Sequence, residues 1–139
     1  MPHDKSPDES EMLRLAQAAK EEAYAPYSGY RVGVCLAAED GALFAGCNVE
    51  NASYPEGSCA ETGAIAALVA SGGRRIQQVL VVADGERLCT PCGGCRQRLA
   101  EFAAPGTPVA IYGPEGLRAR FTLEELLPHA FDLPNEATA

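Results

Sequence analysis

Two short stretches hold the residue types that could do chemistry. In "SCAETGAI", residues 58–65, Cys59 stands two positions before Glu61 at the expected start of a helix. In "TPCGGC", residues 90–95, Cys92 and Cys95 are separated by two residues and preceded by Pro91. A helix start leaves backbone N–H groups unpaired and presents the positive end of the helix dipole, so it favours an anion. A thiolate placed there has a lowered pKa, and the thiolate is the form that binds a metal. The Cys-x-x-Cys bite lets one turn offer two sulfurs to one zinc ion. Gly93 and Gly94 keep side chains away from that ion. Cys59 supplies a third ligand from another element. Three protein ligands leave the fourth tetrahedral position to water, which separates a catalytic zinc from a structural one. The ion makes that water a nucleophile near neutral pH. Glu61, on the first turn after Cys59, can face the water without ligating and carry its proton.

The elements that must position these groups follow from the pattern of apolar residues. "ESEMLRLAQAAKEEAY" places Leu13, Ala16, Ala19 and Ala23 at helical spacing, and Pro26 ends the helix. "RVGVCLAA" and "LFAGCNV" read as strands joined by "EDGA", a hairpin with Asp-Gly at its turn. The alanine-rich segment from Cys59 predicts a helix that stops at Gly72-Gly73. "IQQVLVVAD" is a nearly continuous apolar run, as in a strand buried on both faces. "TPCGGCRQRLAEFA" opens another helix, "PVAIYG" and "LRARF" are strands, and "TLEELL" carries a capping box from Thr122 to Glu125. This order predicts an α/β fold in three layers, α/β/α. Residues 1–8, polar with two prolines, read as a loose tail, and residues 9–139 as a single domain.

Composition narrows the partners. The net charge of −8 disfavours polymeric DNA or RNA, whose binders show a basic face. A small neutral ligand fits better. No apolar run approaches the roughly 18 residues of a membrane span, and the N-terminus has no apolar signal core. The expectation is a cytoplasmic protein whose six cysteines stay reduced. Cys35 and Cys47 then read as small core residues, and Cys89 as a buried strand end.

The set Cys-x-Glu followed by Pro-Cys-x-x-Cys is the three-cysteine form of a zinc deaminase pattern. From "YAPYS" to "LLPHAF" the chain resembles the small homotetrameric cytidine deaminases, through "PYSGYRVGV", "CNVENASY", "CAE", "PCGGCRQ" and "LLPHAF" in order. The resemblance implies a central mixed five-stranded sheet with helices on both sides. It implies hydrolysis of the 4-amino group of cytidine or 2'-deoxycytidine, giving uridine or 2'-deoxyuridine and ammonia, in pyrimidine salvage. It implies one Zn²⁺ per subunit on Cys59, Cys92 and Cys95, with Glu61 as proton shuttle. Asn48 and Glu50 would bond the ribose hydroxyls, and Ala60 would meet the base through its backbone. Tyr30 would pack on the pyrimidine ring, where the family usually has Phe. Tyr54 and Phe131 would complete a site across a subunit boundary of a homotetramer.

Two positions depart from the family. An arginine commonly follows the catalytic glutamate and offsets the thiolate charge; here the residue is Thr62. Three thiolates and one Zn²⁺ carry a net charge of −1, which helix dipoles, the Thr62 hydroxyl and Arg96 are candidates to offset. The "PEGS" loop, residues 55–58, replaces a commoner apolar stretch. These departures keep a deaminase of another free nucleoside, such as blasticidin S, as an alternative. A redox protein or a structural-zinc module built on the Cys92/Cys95 pair is the alternative of a different class.

Overall fold

A computed structural model of the chain describes residues 8–134. Residues 1–7 of the expected tail, His3 among them, lie outside the described residues. Asp8 caps the first helix, its carboxylate accepting from the Ser10 N–H at 3.0 Å. The elements in chain order are α1 (Glu9–Glu21), β1 (Val32–Ala38), β2 (Leu43–Cys47), a 3₁₀ turn (Tyr54–Glu56), α2 (Ala60–Ala70), β3 (Ile76–Ala83), α3 (Gly93–Phe102), β4 (Pro108–Gly113), β5 (Gly116–Thr122) and α4 (Leu123–Leu126).

The five strands form one sheet in the order β2-β1-β3-β4-β5, with β3 and β4 parallel and the other pairs antiparallel. The mixed three-layer fold expected from the sequence is therefore present. Strand alternation sorts the core into two halves. Val34, Leu36, Val79, Val81, Val109 and Ile111 point to the side of α2 and α3, where they meet Ala64, Leu68 and Leu99. Cys35, Ala37, Leu80, Val82 and Ala110 point to the other face and meet Met12 and Ala16 of α1. The unbroken apolar run of β3 has its reason here: the strand is central and both of its faces are covered. Cys35 is a core residue, as its strand position predicts, and Cys47 is half-buried.

Two element ends differ from the sequence reading. The first helix stops at Glu21 rather than reaching Tyr24. Tyr24 instead exchanges backbone hydrogen bonds with the 48–50 segment, donating to Asn48 at 3.1 Å and accepting from Glu50 at 2.8 Å. The second strand stops at Cys47 rather than Val49. Asn48 continues the pairing with its side chain: Oδ1 accepts from the Val32 N–H at 2.9 Å and Nδ2 donates to the Tyr30 carbonyl at 2.9 Å. Its backbone is held as well, the N–H donating to the Val32 carbonyl at 3.4 Å and the carbonyl accepting from Tyr24. The capping box on α4 forms as predicted, with Thr122 and Glu125 bonded reciprocally. Among the described residues no helix is long and apolar enough to cross a membrane.

Candidate metal centre and active-site cleft

Two helix starts meet at one end of the sheet. Cys59 is the N-cap residue of α2 and Cys92 the N-cap residue of α3, with Cys95 on the first turn after it. The three sulfurs lie within 4.8 Å of one another, and those of Cys59 and Cys92 are 3.6 Å apart. Tetrahedral zinc with sulfur ligands at about 2.3 Å sets them about 3.8 Å from each other, so the donor set fits that ion in chemistry and spacing. Cys89 is outside this group.

Both sulfur-bearing starts are held by devices the sequence only partly advertises. Gly46 of β2 lies directly beneath α2. A β-carbon there would stand 2.5 Å from the Ala60 carbonyl oxygen and 2.6 Å from the Ala64 nitrogen, so only glycine lets the helix start sit this low on the sheet. Arg96 fixes the turn before α3. Nε donates to the Pro91 carbonyl at 2.7 Å, Nη2 to the Thr90 hydroxyl at 3.0 Å and Nη1 to the Leu126 carbonyl at 2.8 Å. Arg118 of β5 holds the preceding loop by donating to the Arg87 carbonyl at 2.6 Å and to the Gly85 carbonyl.

Glu61 sits on the first turn of α2 and is 4% exposed. Burial raises its pKa above the ordinary carboxylate value. The helix-start expectation of lowered thiol pKa values holds for one cysteine alone. For Cys92, hydrogen bonds from the Cys95 backbone and from the neighbouring sulfurs outweigh burial and lower the value. Cys59 and Cys95 are raised, first by burial; then the hydrogen bond with Cys92 acts on Cys59, and the charge of Glu61 acts on Cys95.

A cleft of about 430 Å³ runs up to Cys59. Tyr27, Ser28, Asn48, Glu50 and Tyr54 line it. The "NVE" segment is its hub. Asn48 holds residues 30–32 as described. Val49 exchanges two backbone hydrogen bonds with Ser58, at 3.0 and 2.9 Å, which sets the residue next to Cys59. The Glu50 carboxylate accepts from the N–H groups of Tyr27 and Ser28 at 2.9 and 3.1 Å and from the Ser28 hydroxyl. The Ser28 hydroxyl and N–H lower the Glu50 pKa, so the side chain stays ionised. A carboxylate with two oxygens keeps acceptor sites for a ligand beyond these bonds.

Of the sequence-predicted site residues, the structure brings Cys59, Cys92, Cys95, Glu61 and Ala60 together at the two helix starts. Asn48, Glu50 and Tyr54 line the adjoining cleft. Tyr54 is 78% exposed and meets the Tyr27 ring edge-on, with centroids 6.3 Å apart. Tyr30 is not among the lining residues. Its phenol faces Cys89, and burial together with that hydrogen bond pushes its pKa up to about 12. Phe131 is likewise not among the lining residues and is 69% exposed, its carbonyl accepting from Gln97 Nε2 at 2.8 Å. The cleft residues Tyr27 and Ser28 had no role in the sequence reading. Their signal was the turn "PYSG" set across from an isolated glutamate. Arg96 does not face the sulfurs; Arg98 does, with Nη1 3.8 Å from Cys95 Sγ.

Fold and site together define a class: an α/β/α domain in which two helix starts converge three cysteine sulfurs beside a buried carboxylate, a zinc site with room for chemistry. Residues 6–111 match the cytidine and deoxycytidylate deaminase zinc-binding region. The chain is 41% identical over 124 residues to a cytidine deaminase of Sporosarcina psychrophila, covering 89% of this chain and 91% of the relative. It is 42% identical over 129 residues to one of Mycobacterium tuberculosis, covering 90% and 93%. It superposes on the crystal structure of cytidine deaminase from Burkholderia pseudomallei with a TM-score of 0.83 and 38% identity, covering 89% and 99%. The chain belongs to the cytidine deaminase family.

Proposed function

We propose that the protein hydrolyses the 4-amino group of cytidine and 2'-deoxycytidine, releasing ammonia and the corresponding uridine. The observation that carries this reading is the convergence of three sulfurs within 4.8 Å beside the buried Glu61. Zinc held by Cys59, Cys92 and Cys95 supplies the Lewis acidity that makes water nucleophilic near neutral pH. Glu61 takes one proton from the attacking water and gives it to ring N3, then takes the second from the hydroxyl left on C4 and gives it to the departing amine. The water oxygen ends on C4 as the C4–N bond breaks and ammonia leaves. The raised pKa of Glu61 supports this role, since a shuttle must both accept and release a proton.

The sugar is assigned to Asn48 and Glu50, and the base edge to the Ala60 backbone. The Tyr30 ring is assigned to the base face. Tyr54 and Phe131, both highly exposed aromatics, support a subunit boundary at the site and the homotetramer. A neighbouring subunit would close the cleft and exclude water. Residues 9–139 are read as one catalytic domain, working in the cytoplasm.

The test is a panel of cytidine, 2'-deoxycytidine and blasticidin S assayed for ammonia release, with metal content measured on the same sample. One zinc per chain with turnover of the first two is the expected result. Turnover of blasticidin S alone would move the substrate; zinc without turnover would leave a structural module. A reversible Cys92–Cys95 disulfide with no zinc would overturn the reading.

A further inference from the structure

One guanidinium reaches a sulfur of the cluster without any assigned role. Arg98 lies one turn beyond Cys95 on α3, and its Nη1 is 3.8 Å from Cys95 Sγ. Gly94 leaves the room for it: a β-carbon added there would stand 3.0 Å from that nitrogen. Arg96 is occupied elsewhere, with Pro91, Thr90 and Leu126 as its partners. Resting on the zinc reading, the charge arithmetic is simple. Three thiolates and a dication sum to one excess negative charge. Cysteine thiols are ordinarily neutral at pH 7, with a pKa of about 8.5. Assembling the centre therefore creates a net anion where there was none, and a cation already seated beside it favours the assembled state.

We propose that Arg98 is the counter-cation of the metal centre, a positioning residue that holds zinc by offsetting thiolate charge through Cys95 Sγ without ligating. Glycine at position 94 belongs to the same device, because it leaves the path from α3 to the sulfur uncrowded. The arginine is largely exposed, so water weakens the interaction and its effect is modest.

Zinc affinity is read by competition with a chromophoric chelator. Arg98→Gln should bind zinc about tenfold more weakly, the scale of a unit charge at this distance in a largely solvated setting. Arg98→Lys keeps the charge and should recover most of the loss. Raising the salt concentration should narrow the gap between the wild-type chain and Arg98→Gln. Equal zinc affinity in wild type and Arg98→Gln overturns the proposal. So does an Arg98→Lys variant as weak as Arg98→Gln, since the side chain would then act by shape and not by charge. A wild-type chain that binds no zinc at all removes the zinc reading itself, so the two failures are told apart.

Discussion

Glu61 and Cys59 stand two residues apart, and the proposed function gives them separable duties. A carboxylate that is 4% exposed resists ionisation, which suits a group that gives a proton back as readily as it takes one. Glu61→Gln keeps the shape and loses the proton. It should retain one zinc per chain while kcat falls on the order of 10²–10⁴-fold. Cys59→Ala should lose metal and activity together, because two sulfurs from one turn do not complete the set. Metal analysis beside steady-state rates separates these outcomes. At this scale the metal donor set was legible in the sequence, since the spacing of Cys59, Cys92 and Cys95 is itself the signal. The charge compensation was not. Arg96 and Arg98 flank Gln97 in one helical turn, and only the direction in which α3 faces decides which of them meets the sulfurs.

Gly46 shows how an element is placed. It lets the first turn of α2 rest on β2 with no side chain between them. Gly46→Ala would put a β-carbon 2.5 Å from a backbone oxygen, so the helix start must lift. The expected cost is about 1–3 kcal/mol, as for other overpacked sites. Zinc affinity should fall as well, because Cys59 moves with the helix. Chemical denaturation and metal titration of the same variant check both. Local pattern made the four α-helices and five strands legible here, including the buried run of β3 and the capping box of α4, while the 3₁₀ turn Tyr54–Glu56 falls where the sequence reads as a loop. The ends of α1 and β2 were misjudged for one shared reason. The backbone of Tyr24 and the side chain of Asn48 bond to segments distant in sequence, and local pattern carries no trace of that pairing. Gly46 was hidden for the same reason: within "LFAGCNV" it looks like any strand glycine.

Polar links tie the layers of the molecule together, and one of them reports on pH. Glu9 of α1 accepts from both terminal nitrogens of Arg120 on β5 at 2.6 Å, and from the Tyr112 hydroxyl. The hydrogen bond from Arg120 holds the Glu9 pKa below its usual 4.5, against burial. A depressed folded pKa means stability that is present above the unfolded value and lost as pH falls through the folded one. Denaturation midpoints should therefore decline below about pH 4.5. Arg120→Gln should flatten that decline and lower stability at neutral pH. A wild-type curve with the same acid slope as the variant would show that this link contributes nothing. The layered architecture was legible because strand alternation sorts side chains to two faces. The shape of the cleft was not, because it is set by hydrogen bonds from Asn48, Val49 and Glu50 to different parts of the chain.

The sulfurs arrive at the starts of two separate helices, one before and one after the central strand in the chain, and an ion shared between them is a clasp. Stripping it with a chelator should leave the sheet's amide protons as slow to exchange as before. The amides at the beginnings of α2 and α3 should speed up together, and hydrogen–deuterium exchange would show the loosening at both ends of the clasp although they lie more than thirty residues apart.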